Sequence, residues 1–410
     1  MRGDTKAIAI YVIASLVFAS LTTVLALWPT HDWSNFYNAR PVRGEMGLGR
    51  FLIRGTRYGD GGRSTPFAYA WRLVDSTSLG RLSAWIGYLV HQLGQWLILA
   101  KVQQQQKKSK ENCDGRKDAK GIKWSNDTFY TWNWQMVYLN GSMMLYKLLQ
   151  THTTYDGLAV DVSEGTAQGS VIAVLVVALL LAIPSRGIAF GKGKKIQSLS
   201  FKETLDFVKK YHGYVMSFGT VYNFHYHPAE GTMGHLGGFF YQCLLLWQSA
   251  SFYHQSHRNK YWVLLLETWV FIHGTVTAII QPGTNWQIFS YGFAIVFLVN
   301  QVYDTPIPKR YPWIMASMYT VFSVAVALGF QGNRAYYKMT FVPVAEYLCL
   351  FGCIGIGMIT AMLVRRWHLG ASSVVFRAVV VALAYIAVAA GLTIGLALVL
   401  AGNLKVYNDY

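Results

Sequence analysis

Charge is scarce in this chain, and acidic charge scarcer still. Of 410 residues only 13% are Asp, Glu, Lys or Arg, and 19 acidic side chains face 36 basic ones. An ordinary globular domain carries about twice that share of charge, so the chain is too apolar for an ordinary soluble domain. Cysteine is nearly missing, at 4 residues, which excludes a disulfide framework. Cys349 and Cys353, one helical turn apart, read as two small buried side chains. Absent too are a lysine-bearing phosphate loop, a nucleophile-elbow serine and a paired-histidine zinc helix. The histidine spacing lacks the sets that di-iron membrane hydroxylases and desaturases need.

What the chain has instead is apolar length. Its 53% hydrophobic content is gathered into runs of about twenty residues, the length that crosses a bilayer core at ~1.5 Å per residue. Eleven candidate spans follow, at roughly 7–28, 79–100, 128–150, 169–190, 211–227, 233–254, 261–281, 286–303, 312–330, 341–363 and 373–401. The fifth is short and polar and the eighth is marginal, so the expectation is nine to eleven. Backbone amides in hydrocarbon must bond within their own segment, so the fold class is all-α, a polytopic transmembrane helix bundle. Three segments are expected. Residues 1–78 form a membrane anchor with an Arg-rich loop, 79–303 a histidine-rich core bundle, and 304–410 an extension of about three helices. The first apolar run is too long for a signal core and lacks a clear small-x-small site, so it reads as a retained signal anchor.

The net charge of +17 is unevenly spread. Basic clusters at 101–123, 186–210, Arg258 with Lys260, Lys309 with Arg310, and Arg365 with Arg366 occupy every second loop. The positive-inside rule then places the N-terminus inside and, with eleven spans, the C-terminus outside. The Arg-rich link at 29–78 runs against that alternation. Lysines beside a membrane serve topology and anionic headgroups, so the expected partners are the lipid bilayer and other membrane subunits, with no nucleic acid. The Gln103–Gln106 run and its lysine-rich continuation read as a solvated loop. Asn140-Gly141-Ser142 falls within a span, where no glycan is expected.

Seven of the 11 histidines lie between Tyr211 and His273. An imidazole in hydrocarbon gives up its water, so a helix partner, a metal, a cofactor or a proton path usually accounts for it. Sorted by depth along the spans, they form three groups. His225, His227 and His235, with Glu230 among them, form an outer group whose donors suit zinc, copper or iron. His212, His254 and His257 form an inner group, where imidazole complements a helix C-terminus or joins a metal. His91 and His273 lie near midplane, the arrangement that holds haem by axial ligands. Glu267, six residues before His273, offers with it a proton or cation path. For every group the competing account is a histidine hydrogen-bonded to a neighbouring helix.

The segments TWNWQMVYLNGSMMLYKLL at 131–149 and FHYHPAEGTMGHLGGFFYQCLLLWQSASFYHQSHRNKYWVLLLETWVFIHGTVTAIIQP at 224–282 together resemble the transmembrane protein 45 family over roughly 79–303. Trp134, Gln135, His225, His227, His235 and the His273-Gly274 step match the family's polar positions. The resemblance implies a eukaryotic multi-span membrane protein without an established catalytic activity. This chain departs from it by its N-terminal anchor and its extra C-terminal spans. The functional expectation is a non-enzymatic scaffold or accessory subunit of a larger membrane complex. The alternatives are a metal- or haem-binding redox protein and a transporter using Glu267 and His273. Endomembrane and mitochondrial inner membrane fit the charge alternation equally.

Overall fold

The structure, a computed structural model, describes residues 3–27, 77–111, 126–154, 157–195, 202–227, 233–279, 286–332 and 334–367, with 382 and 386. Within these residues the chain is helical, and no strand forms beyond two isolated bridges. Ten long helices follow one another: α1 Gly3–Leu27, α2 Ser78–Glu111, α3 Thr131–Thr153, α4 Glu164–Arg186, α5 Lys202–Tyr226, α6 Met233–Ala250, α7 Lys260–Ile279, α8 Trp286–Val299, α9 Pro312–Gly329 and α10 Phe341–Trp367. Each falls on one of the first ten apolar runs. The eleventh run, at 373–401, and the Arg-rich segment up to residue 76 lie outside the described residues. Among the described residues five stretches are long and apolar enough to cross a membrane: Asp4–Val24, Glu164–Arg186, Lys260–Ile279, Pro312–Gly329 and Tyr336–Leu363.

Two elements differ from the sequence expectation. The Gln103–Gln106 run is not a loop, because α2 continues through it to Glu111. Gln, Lys and Glu are good helix formers, and adding residues to an existing helix needs no new nucleus. With 34 residues α2 is about 51 Å long, well beyond the ~30 Å of a hydrocarbon core. Helix α8 is the opposite case, since its 14 residues rise only about 21 Å.

The chain divides into two compact units: Met1–Ser170 with Met216–Pro282, and Val171–Val215 with Gly283–Tyr410. These bounds depart from the expected 1–78, 79–303 and 304–410. Hydropathy locates helices but not their neighbours, and here α4 and α5 each give residues to both units. In the first unit α2 lies on α3, α3 and α1 lie on α6, and α6 lies on α7. Its core has two clusters. One joins Met144 of α3, Val221 and Phe224 of α5, and Phe239, Cys243 and Leu246 of α6. The other joins Ala84, Leu158, Ala167, Tyr222 and Tyr226. In the second unit, Val176, Leu179 and Ile183 of α4 pack with Leu205 of α5 and with Ala345, Cys349 and Leu350 of α10.

The end of α4 shows how the second unit is fastened. Gly187, at φ +83°, caps the helix in the left-handed conformation that glycine adopts without strain. Its amide donates to Ile183 O at 3.0 Å. The Asn300 amide donates to the carbonyls of Gly187 (3.2 Å) and Ile188 (2.8 Å), and the Tyr347 hydroxyl donates to Ile188 O (3.0 Å). Arg186, 2% exposed, lies 3.0 Å from the Asp304 carboxylate.

Candidate functional site: a buried histidine and amide seam

Inside the first unit a set of polar side chains is sealed among apolar ones. His91 and Gln95, one turn apart on α2, share a face. Asn140 of α3, His225 of α5 and Ser249 of α6 meet them. His91, Gln95, Asn140 and His225 are each 0% exposed. Rings enclose the seam: Phe224 lies edge-on to His91 at 5.6 Å, and Tyr88 to His225 at 6.4 Å. No Cβ would fit at Gly87, since Tyr146 and the Cε1 of His225 occupy its space. One turn along, the Gln92 amide donates to Ser217 Oγ at 3.2 Å.

The proton positions follow from one fixed point. Asn140 Nδ2 lies 2.7 Å from Leu246 O, an acceptor only, so the amide donates there and its Oδ1 faces the seam. That Oδ1 lies 3.0 Å from His91 Nε2, which therefore carries the hydrogen. In a neutral ring His91 Nδ1 is then a bare lone pair. His225 Nε2, 3.1 Å away, must donate to it. By the same logic His225 Nδ1 is unprotonated, and this atom is buried with no hydrogen-bond partner among the described residues. Gln95 Nε2 donates to Asn140 Oδ1 at 2.8 Å. Its 3.3 Å approach to His91 Nε2 is therefore two donors sharing one acceptor rather than a bond between them.

The structure regroups the histidines. His91 takes His225 as its ring partner, while His227 lies within electrostatic range of His273 and of Lys147. The expected midplane pair of His91 with His273 and the outer group built on His225 thus exchange members. Depth along a helix was the wrong coordinate, because His225 and His227 point to different sides of α5 and meet different neighbours. His235 is buried at the head of α6, and Glu230 lies outside the described residues. Among the described residues no three His, Cys, Asp or Glu side chains are grouped to hold a metal. His273 packs against Gly238 of α6, and its Nδ1 lies 3.3 Å from Thr277 Oγ1. Glu267 is buried in α7, and its charge acts on Tyr241 of α6. The Tyr241 ring lies 6.4 Å from that of His273, so one tyrosine neighbours both members of the expected ion path.

Of the inner group, His212 bonds the carbonyl of Lys209 at 2.8 Å, one turn back. His254 and His257 do not share a helix face, because α6 ends at Ala250. His257 Nδ1 lies 3.0 Å from Gln248 O, and His254 has both ring nitrogens bonded to protein. Reading the histidines and carboxylates alone misses Asn140, Gln92, Gln95 and Lys147. The signal was present: Asn140 and Lys147, seven apart, lie on one face of an apolar helix, where polar groups are expensive. Lys147 is 1% exposed, donates to Gln150 Oε1 at 3.2 Å, and acts electrostatically on His225 and His227.

Compared with protein-family models, with curated proteins and with solved structures, the chain matches none.

Proposed function

We propose that this chain is a multi-pass integral membrane protein of nine to eleven helical spans that works without a reaction of its own, as a scaffold or accessory subunit of a larger membrane complex. The observation that carries this reading is the seam. Between helices in lipid the hydrophobic effect contributes little, so interhelical hydrogen bonds and close packing select the arrangement. Here one side chain, Asn140, ties α3 to α2 through His91 and Gln95, and to α6 through Leu246 O. Polar groups engaged in this way favour a fixed frame. The apolar window of α9 is only 6% buried and that of α1 only 17%, which leaves broad faces for lipid or a neighbouring subunit. Anionic headgroups meet the basic loops, the N-terminus faces inside, and nucleic acid is not a partner. Kinship to the transmembrane protein 45 family belongs to the same proposal, as does an endomembrane or mitochondrial inner-membrane address.

A second reading rests on one atom. The buried lone pair on His225 Nδ1, whose other nitrogen is oriented by His91 and Asn140, has the form of a metal ligand with its supporting shell in place. Under it, His225 would bind a transition metal or haem, and the expected sets, His225 with His227, Glu230 and His235 and His91 with His273, would have to re-form, since the structure sets their described members apart. One preparation separates the two readings. The chain is solubilised gently from its own membrane and its native mass, visible spectrum and metal content are measured together. The scaffold reading expects a stoichiometric assembly well above 46.1 kDa, colourless and metal-free. A monomer holding one equivalent of iron, copper or zinc overturns it in favour of the second.

A further inference from the structure

The connection between α6 and α7 is fastened to the segment that leads into α3. Asn126 N–H donates to Tyr253 O, and Gln255 N–H donates to Asn126 O, both at 2.9 Å. Asn133 of α3 donates to the carbonyls of Ala250 (2.7 Å) and Phe252 (2.8 Å). Tyr253 holds φ +64°, a left-handed backbone that a tyrosine keeps only where its surroundings impose it. At the centre is His254, 3% exposed, with Phe129 edge-on at 4.9 Å. Its Nδ1 receives the Ser256 amide at 3.2 Å, which caps the short turn Gln255–Arg258. Its Nε2 lies 3.2 Å from Asp127 O, an acceptor only, so Nε2 carries the hydrogen and the ring is neutral. The Ser256 hydroxyl adds a contact to Nδ1 at 2.7 Å and reaches Tyr11 of α1 at 3.3 Å.

We propose that His254 is a proton-operated latch, closed when neutral, that fastens the lead-in of α3 to the α6–α7 connection. A proton added at Nδ1 would face the Ser256 amide hydrogen, so the cap is lost and the parallel bridge between residues 126 and 254 loses its support. The charged groups acting on His254 are Asp127 in the lead-in of α3 and Asp4 of α1; Tyr11 reaches it through Ser256, and the His257 ring turns instead to Gln248 O. Burial pulls the imidazole below its usual range, while the Asp127 carbonyl and the charges of Asp4 and Asp127 work against that. The sign follows. A base held below its unfolded pKa contributes fully above about pH 6.5 and loses the contribution as the pH falls below it. The latch opens on the acid side.

Hydrogen exchange on the full chain in lipid nanodiscs tests this, at pH 7.5 and 5.0, corrected for intrinsic exchange. The amides of Asn126 and Gln255 are expected to exchange about fivefold faster relative to intrinsic at pH 5.0, the worth of one cap. In His254→Asn the side-chain oxygen still caps the turn but does not titrate, so protection should be equal at both pH values. Protection that is unchanged in the parent, or lost equally in the variant, overturns the proposal. Exchange at the His254 ring C–H gives an independent midpoint in the unmutated protein; a midpoint at or above 6.5 also overturns it.

Discussion

Replacing Asn140 by Ala would test the seam most directly. The side chain makes two donor contacts, to Leu246 O and Ser249 Oγ, and accepts from His91 and Gln95. The alanine variant strands two buried donors, His91 Nε2–H and Gln95 Nε2–H. At about 1–3 kcal/mol for each stranded group, the loss is about 2–6 kcal/mol. Double-mutant work on membrane helices gives a lower scale, about 0.6 kcal/mol per interhelical bond, or about 2.4 kcal/mol for four. The two estimates meet at the low end, so about 2–3 kcal/mol is the expected value. Steric trapping or denaturant unfolding in bicelles measures it. Asn140→Asp adds a test of sign. Ionised, its carboxylate faces Leu246 O; protonated, its hydroxyl can donate there as the amide does. The aspartate variant is therefore expected to be less stable than the parent wherever its carboxyl is ionised. An alanine variant within about 0.5 kcal/mol of the parent would refute the assignment of the seam as the frame.

If His225 Nδ1 is a metal ligand, His225→Ala combined with His235→Ala should remove a stoichiometric metal while helicity is kept; unchanged metal content removes that site. Glu267→Gln should abolish flux in proteoliposomes if Glu267 and His273 form an ion path, and undiminished flux, or none in the parent, ends that reading. In the second unit Asn300→Ala strands the carbonyl of Gly187 and leaves that of Ile188 to the Tyr347 hydroxyl. A loss of about 1–2 kcal/mol is expected on thermal unfolding, and no loss would show the α4 turn to be held by Tyr347 and Lys192 alone.

The all-helical class was legible: each described apolar run of about twenty residues is a helix. Polar helix was harder to see, since Gln103–Gln106 continues α2 on propensity alone, with no apolar stripe to announce it. The seam was half legible. The histidines stood out by type, but their partners depend on rotation about each helix and on which helices adjoin. Only Tyr226 separates His225 from His227, yet one meets α2 and the other senses His273 on α7. Asn140 was visible only as an unusable glycosylation triplet. Its burial, and not its motif, makes it the hub.

Asn140 also sets a limit on what the seam can carry. A carboxamide has no proton to pass on and none to take up at physiological pH. A proton reaching His225 Nδ1 can move the charge across to His91 through the 3.1 Å contact between them, and there the chain of imidazoles stops. It must leave by the side from which it came. The middle of this bundle is thus a cul-de-sac for charge, and any protonic current across the first unit has to follow a route that avoids Asn140.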